Sequence, residues 1–316
     1  MKRCLAMRDL LAAGAVSFVL PGLLAGNPAE RPSDYTIRTN VRLVLLDVSV
    51  KARKGGSVSG LSKENFAVFE DRRRQEITVF AHDDVPVTVG ILVDESFSMK
   101  PKRGEVLAAA QTFIEVSNPR DEVFVLNFND KVTPGLPRHL LFSDSIQQLS
   151  SALHRGTPEG KTALYDAVVA GLKQLELGRR DKKTLVVISD GGDNASEHTR
   201  REMLDMIEKS VATVYAIGLY DAENPDRDPG ILKELAKISG GEAYFPESAS
   251  GMTSICRRIA EDIRTRYTIG YIPKAANGTN SLRRIGIQVS TPGHGRLSAR
   301  TRIGYRYDDV PTEGKN

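Results

Sequence analysis

Asp94, Ser96 and Ser98 stand at alternate positions in Asp94-Glu95-Ser96-Phe97-Ser98, directly behind the apolar run Val87-Thr88-Val89-Gly90-Ile91-Leu92-Val93. In an extended loop alternate side chains fall on one side, so one carboxylate and two hydroxyls can converge on a point. Such a trio could be a turn, a catalytic nucleophile or a seat for a metal ion. Two more oxygen donors occur where a sheet would gather them. Asp190 follows the apolar run 184–189 in Ser189-Asp190-Gly191-Gly192-Asp193-Asn194, and Thr162 opens a helical pattern behind Gly156-Thr157-Pro158-Glu159-Gly160-Lys161. The set holds no His or Cys. All-oxygen ligation suits a hard divalent ion, Mg²⁺ or Mn²⁺, with Ca²⁺ also fitting. Ser96, Ser98 and Thr162 would give neutral contacts, and Asp94 and Asp190 the negative charge, through water. Mg²⁺ seeks six oxygens and keeps several waters, so one coordination position is left open to an outside oxygen. Thr162 also fits the N-cap of its helix, Asp190-Gly191 a tight turn, and Asp193 a turn or supporting position.

Other chemistries match the sequence less well. A hydrolase using Ser96 or a bound water needs a base beside it. The five histidines, at 82, 139, 154, 198 and 294, have no metal-ligand spacing, and only His198 falls in a loop near the set. Gly156 and Gly160 enclose three residues where a phosphate loop has four, so no nucleotide is expected. Asn224 to Gly230 resembles the start of a calcium loop, but Pro229 takes the glycine position and Leu235 the final glutamate position. Asn277-Gly278-Thr279 reads as a hairpin turn that also fits a glycan acceptor. The net charge is +4, half of it within the first 26 residues. That balance, with no Trp and a short solvated run at Arg72-Arg73-Arg74, argues against a nucleic-acid partner.

The donors need a scaffold. Apolar strands are expected at 87–93, 123–128, 184–189, 213–218 and 243–245. They alternate with helices at 102–117 (Pro101 near the first turn), 145–153, 163–177, 199–210, 230–238 and 251–266. Alternation of this kind predicts a doubly wound, mostly parallel α/β sheet, whose ligands bind beyond the carboxyl ends of its strands. Before it, Val41, Leu43, Leu45, Val48, Val50, Phe66, Val68, Ile77 and Val79 predict a helix-free meander of short strands, and strands return after Tyr267. Each flank is too small to bury a core alone, so the two are expected to join as one small β-sheet or β-sandwich unit with the α/β domain inserted. The expected boundaries are 35–84 and 267–307 for the β unit and 85–266 for the insert, with a linker at 27–34 and a loose tail at 308–316.

Residues 1–26 read as an export signal: Lys2, Arg3 and Arg8 precede an apolar stretch, Leu10 to Leu24, that contains Pro21. At about 15 residues it is shorter than the roughly 20 that span a bilayer, so membrane association is expected only if it stays uncleaved. Leu23-Leu24-Ala25-Gly26 is followed by Asn27 rather than a lipidated Cys. Past the signal the only cysteine is Cys256, which leaves no internal disulfide. Its helical neighbours Ile255, Ile259 and Ile263 mark it as a small core residue.

The Asp94-Glu95-Ser96-Phe97-Ser98 stretch, Thr162 in Gly160-Lys161-Thr162-Ala163-Leu164 and Asp190 in Ser189-Asp190-Gly191-Gly192 resemble the metal-ion-dependent adhesion site of von Willebrand factor type A domains. All five positions stand in that family's order, over about residues 85–266. Lys161 departs from it, since Gly is usual there, and brings a positive charge near the site. The flanks resemble a bacterial subgroup, the VWFA-related domain proteins prominent in Acidobacteria. The resemblance implies a doubly wound α/β domain whose metal is completed by an acidic side chain of a partner protein. The expectation is a non-enzymatic, exported binding module, periplasmic or secreted. A metal-dependent hydrolase and a structural envelope module without an ion remain as alternatives.

Overall fold

The structure is a computed structural model that describes residues 43–53, 55–219, 227–247, 249–273, 282–293 and 295–306. The export signal, the linker at 27–34, the tail at 308–316 and the Asn277 turn lie outside them, as do residues 224–226 of the 224–230 loop.

The chain opens with strands β1 (Val44–Ala52), β2 (Phe66–Glu70), β3 (Arg73–Gln75) and β4 (Ile77–Ala81). There follow β5 (Thr88–Asp94), α1 (Arg103–Val116), β6 (Glu122–Phe128), β7 (Val132–Pro134), α2 (Ile146–Leu153), α3 (Leu164–Glu176), β8 (Lys183–Ser189), α4 (Arg200–Lys209), β9 (Thr213–Gly218), α5 (Pro229–Ser239), β10 (Ala243–Tyr244) and α6 (Ala249–Arg264). Strands β11 (Tyr267–Tyr271), β12 (Leu282–Val289), β13 (Leu297–Arg300) and β14 (Gly304–Arg306) close it.

The central sheet has the order β10-β9-β8-β5-β6-β7 and is parallel except for β7. Every residue of β5 and β6 is buried, as expected of strands covered by helices on both faces. Helices α6, α1 and α2 pack in succession, as do α3, α4 and α5. Helix α3 shows how the pattern works. Its buried residues Leu164, Ala167, Val168, Leu172 and Leu175 recur at three- and four-residue intervals, which line one helical face. Cys256 is buried in this core. Residues 97–102 are a 3₁₀ turn, not the first turn of α1, because Pro101 lacks the N–H that an α-helix would need there. The short edge strand β7 carried no alternating pattern in the sequence. Among the described residues no helix is long and apolar enough to cross a membrane.

The α/β layer is inserted in an antiparallel β unit built from both flanks. One sheet runs β13-β1-β11-β4 and the other β14-β12-β2-β3. A simple meander is therefore not what forms. Strand β1 pairs with β11 and β13 rather than with β2, and the pairing buries Leu46, Val48 and Val50. Leu43 and Leu45, the earlier half of the alternating set, fall on the outer side and are exposed. A 3₁₀ turn at Lys63–Asn65 precedes β2. The core of this unit draws Phe66 and Val68 from one flank and Tyr267, Ile269 and Tyr271 from the other.

A buried polar knot fastens the two flanks. Glu70, 5% exposed, accepts from Arg283 Nη1 at 2.8 Å, Tyr271 O–H at 2.7 Å and Tyr305 O–H at 2.8 Å. A second knot joins the β unit to the central sheet. Arg266 donates to Thr213 Oγ1 at 3.1 Å, Tyr215 Oη at 3.1 Å and Gly240 O at 2.8 Å, while Asp262 accepts from Ser49 and Tyr215. Removing one partner of a buried ion pair strands the other charge, at a cost of about 3–5 kcal/mol. Glu70→Leu is therefore expected to lower unfolding free energy in urea by about that amount. Adding Arg283→Leu should recover at least half of the loss; an additive double mutant would contradict the pairing.

Candidate metal centre

The site forms where the central sheet divides. Strands β5 and β8 are adjacent and parallel, but the chain leaves β5 for α1, which leads to β6, and leaves β8 for α4, which leads to β9 on the other side. Right-handed crossovers carry these exits to opposite faces and open a crevice beyond the strand ends, the place where open α/β sheets bind ligands.

Asp94 ends β5 at the base of this crevice and is 2% exposed. Its Oδ1 accepts from Ser96 N–H at 2.8 Å, which bends the loop, and its Oδ2 accepts from Ser189 O–H at 2.6 Å. Burial pushes its carboxyl up to about 7, against the pull of the Ser189 and Ser96 hydrogen bonds, and the charge of Asp190 adds to the rise. Ser98 Oγ donates to Asp190 Oδ2 at 2.6 Å and lies 3.1 Å from Ser96 Oγ. Asp190 Oδ1 in turn accepts from Gly192 N–H at 3.1 Å. Ser96, Ser98, Thr162 and Asp190 line a single cavity of about 200 Å³, with Phe97, Gly160, Lys161, Gly192 and Asn194 completing its wall. Of the five sequence-predicted residues, four thus face one space and Asp94 lies behind it.

Thr162 is not a helix cap. Ala163 holds the cap position of α3 and offers no side-chain acceptor, so the exposed N–H groups of the first turn are satisfied from another loop. Tyr165 N–H donates to Asp193 Oδ2 at 2.9 Å and Asp166 N–H to Ser196 Oγ at 3.1 Å. Thr162 itself is clamped on both sides: its N–H donates to Asn194 Oδ1, and its carbonyl accepts from Asn194 N–H, each at 2.9 Å. Asp193 and Asn194 therefore hold the Thr162 loop against the Asp190 loop. Asn194 was missed in the sequence. Its only signal there is a short side chain able to bond backbone, five residues past a strand end.

The Asp94 loop is fixed to the same framework. Phe97 N–H donates to Gly160 O at 3.2 Å and Glu95 N–H to Phe128 O at 2.7 Å. Buried Glu95 accepts from Arg103 Nε at 2.8 Å, and Arg103 Nη2 donates to Gly156 O at 2.8 Å. Both glycines of this loop are there for close approach. A Cβ on Gly156 would meet Glu95 Oε1 at 2.3 Å, and Gly160 combines φ +78° with Asp130 Oδ2 where its Cβ would be. His198 is engaged elsewhere, its Nδ1 2.6 Å from Asp166 Oδ1, and it does not line the cavity.

The donor set fits a hard divalent cation. Ser98 gives its proton to a carboxylate, which leaves the hydroxyl lone pairs for a cation, and two buried carboxylates sit beside the cavity. A liquid water occupies about 30 Å³, so the space admits an ion with part of its hydration shell. Among the described residues no cluster of three or more His, Cys, Asp or Glu side chains offers another arrangement.

Residues 89–192 match the family model of the von Willebrand factor type A domain. No curated protein matches the chain in sequence. Among solved structures, the fold is similar to a von Willebrand factor type A protein from Catenulispora acidiphila, at 13% identity and TM-score 0.50, over 86% of this chain and 75% of that one. The conserved hypothetical protein BatB from Bacteroides thetaiotaomicron aligns at 18% identity and TM-score 0.45, over 56% of this chain and 98% of its own. Proximal thread matrix protein 1 from the mussel byssus, solved with a zinc-occupied MIDAS motif, aligns at 16% identity and TM-score 0.49, over 62% and 50%. The fold and the order of the motif residues along it agree with this match: residues 89–192 are similar to a von Willebrand factor type A domain.

Proposed function

We propose that this protein is a metal-dependent protein-binding module, exported to the periplasm or beyond. In this reading Ser96, Ser98 and Thr162 contact a divalent ion, Mg²⁺ or Mn²⁺, with Asp94 and Asp190 supplying negative charge through water. When bound, the ion offers an open coordination position to the carboxylate of an Asp or Glu on a partner protein. The observation that carries the reading is the shared cavity: hydroxyls from two loops and a carboxylate from a third line it together, over a buried second carboxylate. The chain's own part is to fix these oxygens in advance, so that little order is lost on binding. A hydrolytic role lacks support, because no histidine lines the cavity beside Ser96 or Ser98 to serve as a base. Export rests on the amino-terminal sequence alone.

Calorimetric titration of Mn²⁺ tests the site. Asp94→Asn and Thr162→Val are each expected to lower affinity at least about tenfold, and equal affinities would refute the assignment. Pull-down from envelope extract tests the binding role, with partners expected to be lost in chelator. Capture unchanged by chelator would favour a structural module.

The buried Asp94 carboxyl sets the pH dependence. It must be ionised to serve a cation, so Mn²⁺ affinity should rise about tenfold per pH unit below 7 and level off above. A flat profile from pH 5.5 to 8.5 would contradict this. In the metal-free protein the same group favours folding while protonated. That contribution is complete below the ordinary carboxylate range and fades as pH rises through about 7. Asp94→Asn removes the buried charge but keeps an acceptor for Ser96 N–H. At pH 8 in chelator it should melt a few degrees above the parent protein, yet gain nothing from Mn²⁺.

A further inference from the structure

Phe97 sits between the two serines of the site, in a position that folding does not account for. It is 68% exposed, more than any other large apolar residue among those described. The remaining exposed apolar side chains, such as Leu177 and Val211, lie away from the cavity, whereas Phe97 forms part of its wall. Its place is fixed. The 3₁₀ turn 97–102 begins at it, its N–H is bonded to Gly160 O, and Lys100 Nζ lies 5.8 Å from its ring centroid. Exposed Lys161 lines the same cavity beside Thr162, next in the chain to the Gly160 that bonds Phe97. The wall of the oxygen cluster thus also carries an exposed aromatic residue and an exposed lysine.

We propose that Phe97 and Lys161 select the partner: the site takes an acidic side chain whose chain neighbour is a large apolar residue. The inference rests on the metal-dependent reading above and adds its specificity. A carboxylate reaching the oxygen cluster passes Lys161, whose charge complements it. The group beside that carboxylate meets the Phe97 ring, and covering the ring removes apolar surface from water on both partners. An isolated exposed aromatic in a rigid loop loses little freedom on contact, which is the property of an interface anchor. The occupant is therefore a segment of a partner protein in which Asp or Glu adjoins Leu, Ile, Met or Phe.

Blocked tripeptides with Mn²⁺-loaded protein test this, binding being read from paramagnetic relaxation of peptide protons. The probes are acetyl-Gly-Asp-Leu-amide, acetyl-Gly-Asp-Gly-amide and the neutral acetyl-Gly-Asn-Leu-amide. The Asp-Leu peptide is expected to bind about five- to tenfold tighter than the Asp-Gly peptide. At saturating Mn²⁺, Phe97→Ser should bring the two within about twofold, and Phe97→Leu should keep the preference. Lys161→Gln should weaken both acidic peptides by a similar factor. Equal binding of the two acidic peptides, or a preference that survives Phe97→Ser, overturns the selectivity and leaves the metal-dependent reading standing. If the Asn peptide binds as well as the Asp peptides, carboxylate capture itself fails.

Discussion

Two buried carboxylates at the end of adjacent parallel strands are the constraint around which the domain is arranged. Asp94 and Asp190 lie where β5 and β8 part, and both are nearly inaccessible to water. Withdrawing a carboxylate from water is unfavourable unless hydrogen bonds or a cation replace its hydration. The chain supplies the first in the hydroxyls of Ser189 and Ser98 and the N–H groups of Ser96 and Gly192. The position of Asp94 near neutrality shows that these bonds do not offset burial in full. A cation beside such a carboxylate would offset that burial. Replacing such groups by apolar ones would stabilise the fold and remove the attraction to a cation.

The rest of the loop architecture reads as support for this arrangement. Loops are mobile by default, yet these are bonded to one another more than to their own elements. The amino-terminal turn of α3 is satisfied by Asp193 and Ser196 from the β8–α4 loop, and Thr162 is held on both sides by Asn194. Glu95 and Arg103 tie the β5 loop to the segment before Thr162. A substitution at Asp193 or Glu95 would thus act on the cavity without touching an ion, because oxygen positions within it depend on loop-to-loop bonds.

Much of this was legible in the sequence, and for a definite reason. Strands buried on both faces read as continuous apolar runs, so β5, β6, β8 and β9 and the residues at their ends could be placed from local pattern alone. Asp94, Ser96, Ser98 and Asp190 follow from those ends, and Thr162 from the start of a helical pattern. What could not be read depends on contacts between distant segments. The partner of β1 is β11, more than two hundred residues away in sequence, and alternation alone could not show that Leu46 and not Leu45 faces inward. A local rule also allowed Thr162 as a helix cap, whereas the groups that bond the first turn of α3 come from a different loop. The exposure of Phe97 was likewise invisible, since an aromatic between two serines fits a core position as readily as a surface one.

The central claim is that oxygens from three loops share one cation. Anomalous diffraction from crystals of the protein grown with Mn²⁺ measures this directly. The account predicts a single dominant peak in the cavity, about 2.0–2.3 Å from the hydroxyl oxygens of Ser96, Ser98 and Thr162. A cavity without anomalous density, with the serine hydroxyls bonded only to protein, would contradict it.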